Sequence, residues 1–214
     1  MKRPCLPFAL VCATAFSAPF AHAVDVAKTR VRVDGGATRT DVPPRAPRIA
    51  SERKGMTWGV GVRVSTDPHI VFVSCHGRPA IGGHGCEAYH GDTACRAKRP
   101  VLCLAVDGRE RPVGIATPPS GGVMHAGFYS GWAHGRVALT RAVRGDAFAR
   151  RSDADAYCAA QLGAGWRVAE HHDGVDEHGS HGGWGFVAAG RIVAASRFWV
   201  AIDDTAANCW DASH

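Results

Sequence analysis

The sequence predicts a small disulfide-stabilised α+β domain, with antiparallel strands and one main helix. Three observations carry that expectation. Once an N-terminal export signal is set aside, six of the eight cysteines remain, an even number suited to an oxidising compartment. One stretch, from Ser152 to Gly163, has helical periodicity, whereas most other apolar segments alternate with period two. Between the apolar runs lie many of the 26 glycines and 12 prolines, which punctuate short strands.

The N-terminus reads as a signal peptide over residues 1–23. Lys2 and Arg3 precede an apolar run from Leu6 to Phe20, and Ala21-His22-Ala23 matches the small-x-small pattern of a cleavage site. The run is shorter than the roughly 20 apolar residues a membrane span needs, and Pro7 and Pro19 break it. Cys12 follows Val11, too large a residue for a lipoprotein cleavage site. Residues 24–55 alternate Val, Arg, Thr and Asp and then break into Val42-Pro-Pro-Arg-Ala-Pro-Arg. With few large apolar groups to offset ordering entropy, they read as a flexible basic arm. Residues 56–214 form the single domain.

Charge is unevenly distributed. Residues 24–55 carry +4, 56–150 carry +5 and 151–214 carry −5, so a cationic front is joined to an anionic back. The tryptophans lie mostly in the acidic part, without the basic, aromatic-interleaved stripe of a nucleic-acid binder, which excludes nucleic acid as the expected partner.

Within the domain, Trp58, Val60, Val62 and Val64 alternate with Gly and Arg. Ile70-Val-Phe-Val follows the turn residues Thr66-Asp67-Pro68, giving a hairpin. Cys75 to Cys103 has no apolar period of its own and must be held by disulfides. Val101 to Val106 reads as a strand, and residues 107–122, with Pro112, Pro118 and Pro119, as a loop. Trp132 and Arg136–Thr140 supply another strand before the helix. Ser152 stands where an N-cap would be, with Asp155 three residues on. Ala154, Tyr157, Cys158, Gln161 and Leu162 share one helical face, which points Cys158 into the core, and Gly163 ends the helix. Strands follow around Trp166 and Val168, over Trp184–Gly190 and over Phe198–Ile202.

Six cysteines permit 15 pairings. The expected one joins Cys158 to Cys209, helix to C-terminal segment, a closure that would stabilise by about 3 to 5 kcal/mol. Cys75, Cys86, Cys95 and Cys103 then pair among themselves, with a slight preference for Cys95–Cys103 across the turn at Arg99-Pro100.

Several blocks resemble a family of uncharacterised secreted proteins of Gram-negative bacteria. They are Tyr89-His-Gly-Asp-Thr-Ala-Cys95, Pro100-Val-Leu-Cys103, Gly135–Thr140, Gly165-Trp-Arg-Val-Ala-Glu-His-His-Asp-Gly174 and Ser196–Trp210, and the likeness covers residues 86–211. Some of that family are labelled flagellar hook-length control proteins, a label that fits poorly with a cleavable secretory signal. The chain is also similar to the C-type lectin-like fold: a helix cysteine, a Phe198-Trp-Val-Ala-Ile-Asp203 strand and a cysteine near the C-terminus. That similarity implies a fold but not a ligand site, because the Glu-Pro-Asn and Trp-Asn-Asp motifs that bind calcium and sugar in such folds have no counterpart.

Glu170 to His181 packs four histidines and four carboxylates into twelve residues and is the metal candidate. His171 or His172, with His178, His181 and Asp173, could complete a zinc tetrahedron. Calcium would instead take Asp173, Asp176 and Glu177. The competing expectation is a solvated polar loop. Asp203, Asp204, Asn208 and Asp211 form a second acidic cluster beside Cys209. With Glu170 they make the candidate ligand-binding set Glu170, Asp203, Asp204 and Asn208. His76, His84 and His90 sit among cysteines, but no C-x-x-C accompanies them. Serine and zincin catalysis find no motif: G-x-S-x-G and H-E-x-x-H are absent, and Ser120 lies in a Pro-Pro-Ser-Gly-Gly loop. Trp166, Trp184, Trp199 and Trp210 could stack sugars or fill the core.

The reading that follows is a secreted or periplasmic, non-enzymatic binding module for an extracellular or envelope ligand, a glycan being one candidate. The alternative is a metal-dependent secreted hydrolase that uses the 170–181 loop with zinc or calcium.

Overall fold

A computed structural model of the chain describes residues 52–76, 85–118, 123–193 and 197–210. The expected signal peptide, the arm up to residue 51, His84, Ser120 and Asp211 lie outside them. All described residues belong to one compact unit, 48–214.

In chain order, the strands before the main helix are β1 (Lys54–Gly55), β2 (Thr57–Val60), β3 (Ile70–Ser74), β4 (Thr93–Ala94), β5 (Lys98–Arg99), β6 (Leu102–Val106), β7 (Gly131–Leu139) and β8 (Val143–Arg144). After it come β9 (Arg167–Val168), β10 (Gly185–Ala189) and β11 (Phe198–Trp199). A one-turn helix α1 (Ala126–Tyr129) precedes β7, and the main helix α2 spans Arg151–Leu162. The α+β expectation therefore holds. Lys54 and Gly55, assigned to the arm, instead pair with β4.

Seven strands form one sheet in the order β11-β2-β3-β10-β7-β6-β9. Every neighbouring pair is antiparallel except β10–β7, which is parallel and was not expected. The sheet curls until its edges meet. Just past β9 and β11, Glu170 bridges Ala201 in parallel, with Ala201 N–H donating to Ala169 O and His171 N–H to Ala201 O, both at 2.9 Å. Trp199 likewise bridges Val101, its N–H reaching Pro100 O at 2.9 Å. Pairing at the seam satisfies backbone groups that an open edge would leave to solvent or to another chain.

Alternation along the strands then sorts side chains between the inside and outside of the curl. Val71, Val73, Leu102, Leu104, Phe186, Ala188, Phe198 and Val200 fill the interior with Met56 and Trp58. Their neighbours Val101, Cys103, Trp199 and Ala201 face outward into a second cluster, covered by Ala154 and Cys158 of α2 and by Trp210. Phe72, Val187 and Ala189 face outward elsewhere, packing with Val64 and Trp132. Trp58, Trp132, Trp199 and Trp210 are at most 2% exposed, so the core role wins for Trp199 and Trp210.

Helix α2 begins two residues earlier than the Ser152 cap implies. Its N-cap is Arg150, whose N–H donates to Asp153 Oδ2 at 3.0 Å, so Asp153 closes the first turn. Asp155 is used otherwise, accepting the Val168 N–H at 2.9 Å and tying the helix to β9. Cys158 is fully buried as expected, whereas Gln161 is exposed.

All six cysteines form disulfides, but the pairing differs from expectation. The bridges are Cys75–Cys86, Cys95–Cys209 and Cys103–Cys158, with Cα separations of 5.0, 5.4 and 5.8 Å. Cys158 does not reach Cys209 because the helix packs across β6 and β9, where Cys103 points outward from the sheet. Cys209 is drawn instead toward Cys95, and a Cβ on Gly55 or Gly145 would stand 2.5 or 2.6 Å from its sulfur. Only glycine leaves room for that bridge.

Chain entropy ranks the three by the loops they close, 11, 55 and 114 residues. Replacing both cysteines of a pair by Ala should cost about 3 kcal/mol for Cys75–Cys86 and about 5 kcal/mol for Cys95–Cys209, with Cys103–Cys158 between, in denaturant unfolding. Peptide mapping of the non-reduced protein should recover a 103–158 linkage; a 158–209 linkage would refute this topology.

Candidate functional site

The seam of the sheet delivers the acidic and histidine-rich residues to one place. Glu170 follows β9 and is 7% exposed. Its Oε2 accepts the His172 N–H at 2.6 Å, and its Oε1 lies 3.1 Å from His172 Nδ1 and accepts the Asp203 N–H at 3.3 Å. Burial alone would raise this carboxyl, but hydrogen bonds from His172 outweigh it, and the group is held below the ordinary glutamate range. The same hydrogen bond holds His172 above its ordinary value. His172 Nε2 faces Asp204 Oδ2 at 3.8 Å, so imidazole and carboxylates form a chain from buried Glu170 to exposed Asp204.

His171 points the other way. It is 3% exposed, and its Nε2 accepts the backbone N–H of Trp184 at 3.1 Å, which leaves the proton on Nδ1. That Nδ1 is buried and has no partner. Burial, with the charge of His172 acting second, pushes His171 down to about 4. Its ring lies edge-on to Trp58, His172 and Trp184, with centroids 5.5, 4.7 and 5.3 Å away.

Trp184 continues the strip outward. His76 stacks on its ring at 5.5 Å, the two planes nearly parallel, and Tyr89 meets it edge-on at 6.0 Å. The Cys75–Cys86 disulfide brings these three rings together, because His76 follows one cysteine, Tyr89 lies three residues past the other, and Cys75 N–H donates to Trp184 O at 2.9 Å. Tyr89 is 58% exposed. Trp184 adopts φ +70°, a left-handed conformation that costs a non-glycine residue about 1 to 2 kcal/mol.

The five residues nominated for metal do not assemble, and among the described residues no group of three or more His, Cys, Asp or Glu is placed to hold an ion. Most of their polar atoms already have protein partners, His171 Nδ1 being an exception. Asp173 is bound by Arg167 and accepts the Glu170 N–H at 2.6 Å; His171 is occupied by Trp184 and His172 by Glu170. His181 Nδ1 lies 2.9 Å from His172 O, and exposed His178 faces Glu177 at 3.6 Å. Asp176 folds the loop onto itself, accepting the N–H groups of His178 and Ser180 at 2.8 Å.

Of the ligand-binding set, Glu170, Asp203 and Asp204 do lie together, while Asn208 does not face solvent. It is 4% exposed, and its amide clasps both backbone groups of Ile202, with Oδ1 accepting the Ile202 N–H at 3.0 Å. Asp203 is paired with Arg151 of α2. Sequence reasoning missed His76 and Tyr89. Their positions beside cysteines of one bridge were the only signal, and it required the pairing.

Comparison with known proteins adds no relative: no family model matches the chain, and no curated protein or solved structure is significantly similar to it. The helix cysteine pairs with Cys103 rather than with the C-terminal Cys209.

The electrostatics predict acid sensitivity. Between pH 6.5 and about 4 the unfolded chain protonates His171 while the folded chain does not, so stability falls with pH by an amount on the order of 3 kcal/mol. His172 acts oppositely, since its raised value adds stability that is complete below 6.5 and fades as pH rises through it. Glu170 adds a further loss only below 4.5, as pH falls through its lowered value. Urea unfolding at about pH 7 and pH 5 should therefore show a fall in wild type that is much smaller in His171→Phe; an equal fall in both would contradict the assignment.

Proposed function

We propose that the protein is a secreted or periplasmic binding module without catalytic activity, and that it takes a glycan or similar envelope component on the strip running from Asp204 through His172 to Trp184, His76 and Tyr89. The observation that carries this reading is the composition of the strip: exposed aromatic rings adjoin an imidazole–carboxylate chain that is only partly buried. Aromatic faces offer the apolar side of a sugar a rigid platform at small entropy cost, and the carboxylate and imidazole offer acceptors and donors to its hydroxyls. Three disulfides suit an oxidising compartment. No helix of the described residues is long and apolar enough to cross a membrane. The hydrolase alternative would have to draw on the 170–181 loop, where Asp173 is paired with Arg167 and His172 with Glu170.

Binding should be sought with soluble envelope polysaccharides by calorimetry. Tyr89→Ala removes an exposed ring and should weaken association about five- to tenfold, the worth of one aromatic contact. Trp184→Gly keeps the left-handed backbone accessible and should weaken it further. Variants that stay folded and retain full affinity, or a panel of polysaccharides that yields no heat, would remove the proposal.

A further inference from the structure

A second concave site lies away from that strip. A cavity of about 590 Å³ opens between the start of β7, the loop 109–117 and the segment 175–177. Its volume falls in the range that holds small organic ligands. Arg111, His125 and His134 line it, together with Thr117, Asp176 and Glu177.

The fold places each of these groups by a separate device. In β7, Trp132 pairs with Val187 and Arg136 with Ala189, so three residues, Ala133 to Gly135, stand opposite the single Ala188. This bulge sets His134 at φ +49° and holds it there, with its carbonyl accepting the N–H groups of Asp107 and Gly108 at 3.1 and 3.0 Å. Bulges of this kind re-aim side chains and concentrate near functional sites. The loop carrying Arg111 is fastened on both sides. Trp132 Nε1 donates to Arg109 O at 2.8 Å, and Ala116 N–H donates to Val64 O at 2.8 Å. The opposite wall is pinned by the paired backbones of Trp132 and Val175.

The charged lining sets one guanidinium, Arg111, beside the carboxylates of Asp176 and Glu177. The Asp176 side chain is 2% exposed and already engaged: its Oδ1 accepts two backbone N–H groups and its Oδ2 lies 3.4 Å from His125 Nε2. Glu177 points largely into solvent beside His178. Arg111, in contrast, has no ion pair among the described residues; its guanidinium makes only a long contact, 3.5 Å, to Ser130 O. Held next to a cavity by an anchored loop, such a guanidinium is suited to a bidentate oxyanion. We propose that this cavity binds the phosphate or carboxylate group of a small organic molecule, with Arg111 and His134 contacting the oxyanion and Asp176 orienting His125 toward it.

Ring-proton resonances of His125 and His134 in the full folded chain provide the test, with inorganic phosphate and citrate titrated separately. Saturable shifts of both rings are expected. Saturation by phosphate alone assigns a phosphate ester as the natural group, and by citrate alone a carboxylate; either supports the site. Arg111→Gln should weaken the anion at least about tenfold, the factor that one 1.4 kcal/mol interaction represents. His134→Gly relieves the positive φ, so its unfolding midpoint should hold or rise while anion affinity falls at least about tenfold. Arg141→Gln, an exposed cation outside the cavity, should change neither. Shifts that fail to saturate by ~10 mM of either anion, a Kd weaker than millimolar, or affinities unchanged in both cavity variants, would overturn the proposal.

Discussion

The meeting of the sheet's two edges is the constraint on which everything else depends. Hydrogen bonds among Ala169, His171 and Ala201, and between Trp199 and Pro100, turn a row of short strands into a closed surface with an inside and an outside. Several strands have only two residues and could not persist alone. Closure gives each strand of the seven-stranded sheet neighbours on both sides and makes the period-two pattern decisive, because a one-residue slip would exchange Phe198 and Trp199 between the interior and the helix-covered face. The candidate site is a product of the same seam. Glu170 lies in the bridge to Ala201 just past β9 and β11, so Asp203 is close enough to donate its N–H to Glu170 because the sheet closes there.

The disulfides secure what the sheet cannot. Cys103–Cys158 fixes α2 to the outside of β6, and Cys95–Cys209 brings the C-terminal segment, with Trp210, down beside it. Cys75–Cys86 encloses only a short loop, yet it carries His76 and Tyr89 to Trp184. Besides the smallest of the three chain-entropy contributions, it supplies the geometry of the aromatic strip.

Much of the fold was legible in the sequence because it rests on local rules. The strands around Trp58, Ile70–Val73, Val101–Val106 and Phe198 show the alternation expected, and the buried face of α2 follows from helical spacing at Ala154 and Cys158. What could not be read was long-range. Nothing local distinguishes Cys103 from Cys209 as the partner of Cys158; that choice depends on where α2 lies on the curled sheet. The parallel β10–β7 pair is hidden for the same reason. Composition pointed to residues 170–181, but a run of His and Asp indicates ligands only if the side chains converge. Here Asp173 turns to Arg167, His171 to Trp184 and Asp176 to its own loop, and the run is used up in folding the loop.

Backbone strain gives a view of function that is independent of composition. Among the described residues, two non-glycine residues have positive φ, His134 and Trp184. Neither is Asn or Asp, the types that tolerate this region through local hydrogen bonds, and each conformation costs on the order of 1 to 3 kcal/mol that surrounding structure must offset. Glycine at either position would remove the cost, and glycines adjoin both residues at 135, 183 and 185. A chain that holds a histidine and a tryptophan where glycine would be more stable gains something from the side chains themselves. One ring lines the cavity with Arg111; the other anchors the aromatic strip beside His171. The two strained positions therefore coincide with the proposed aromatic strip and the proposed anion cavity.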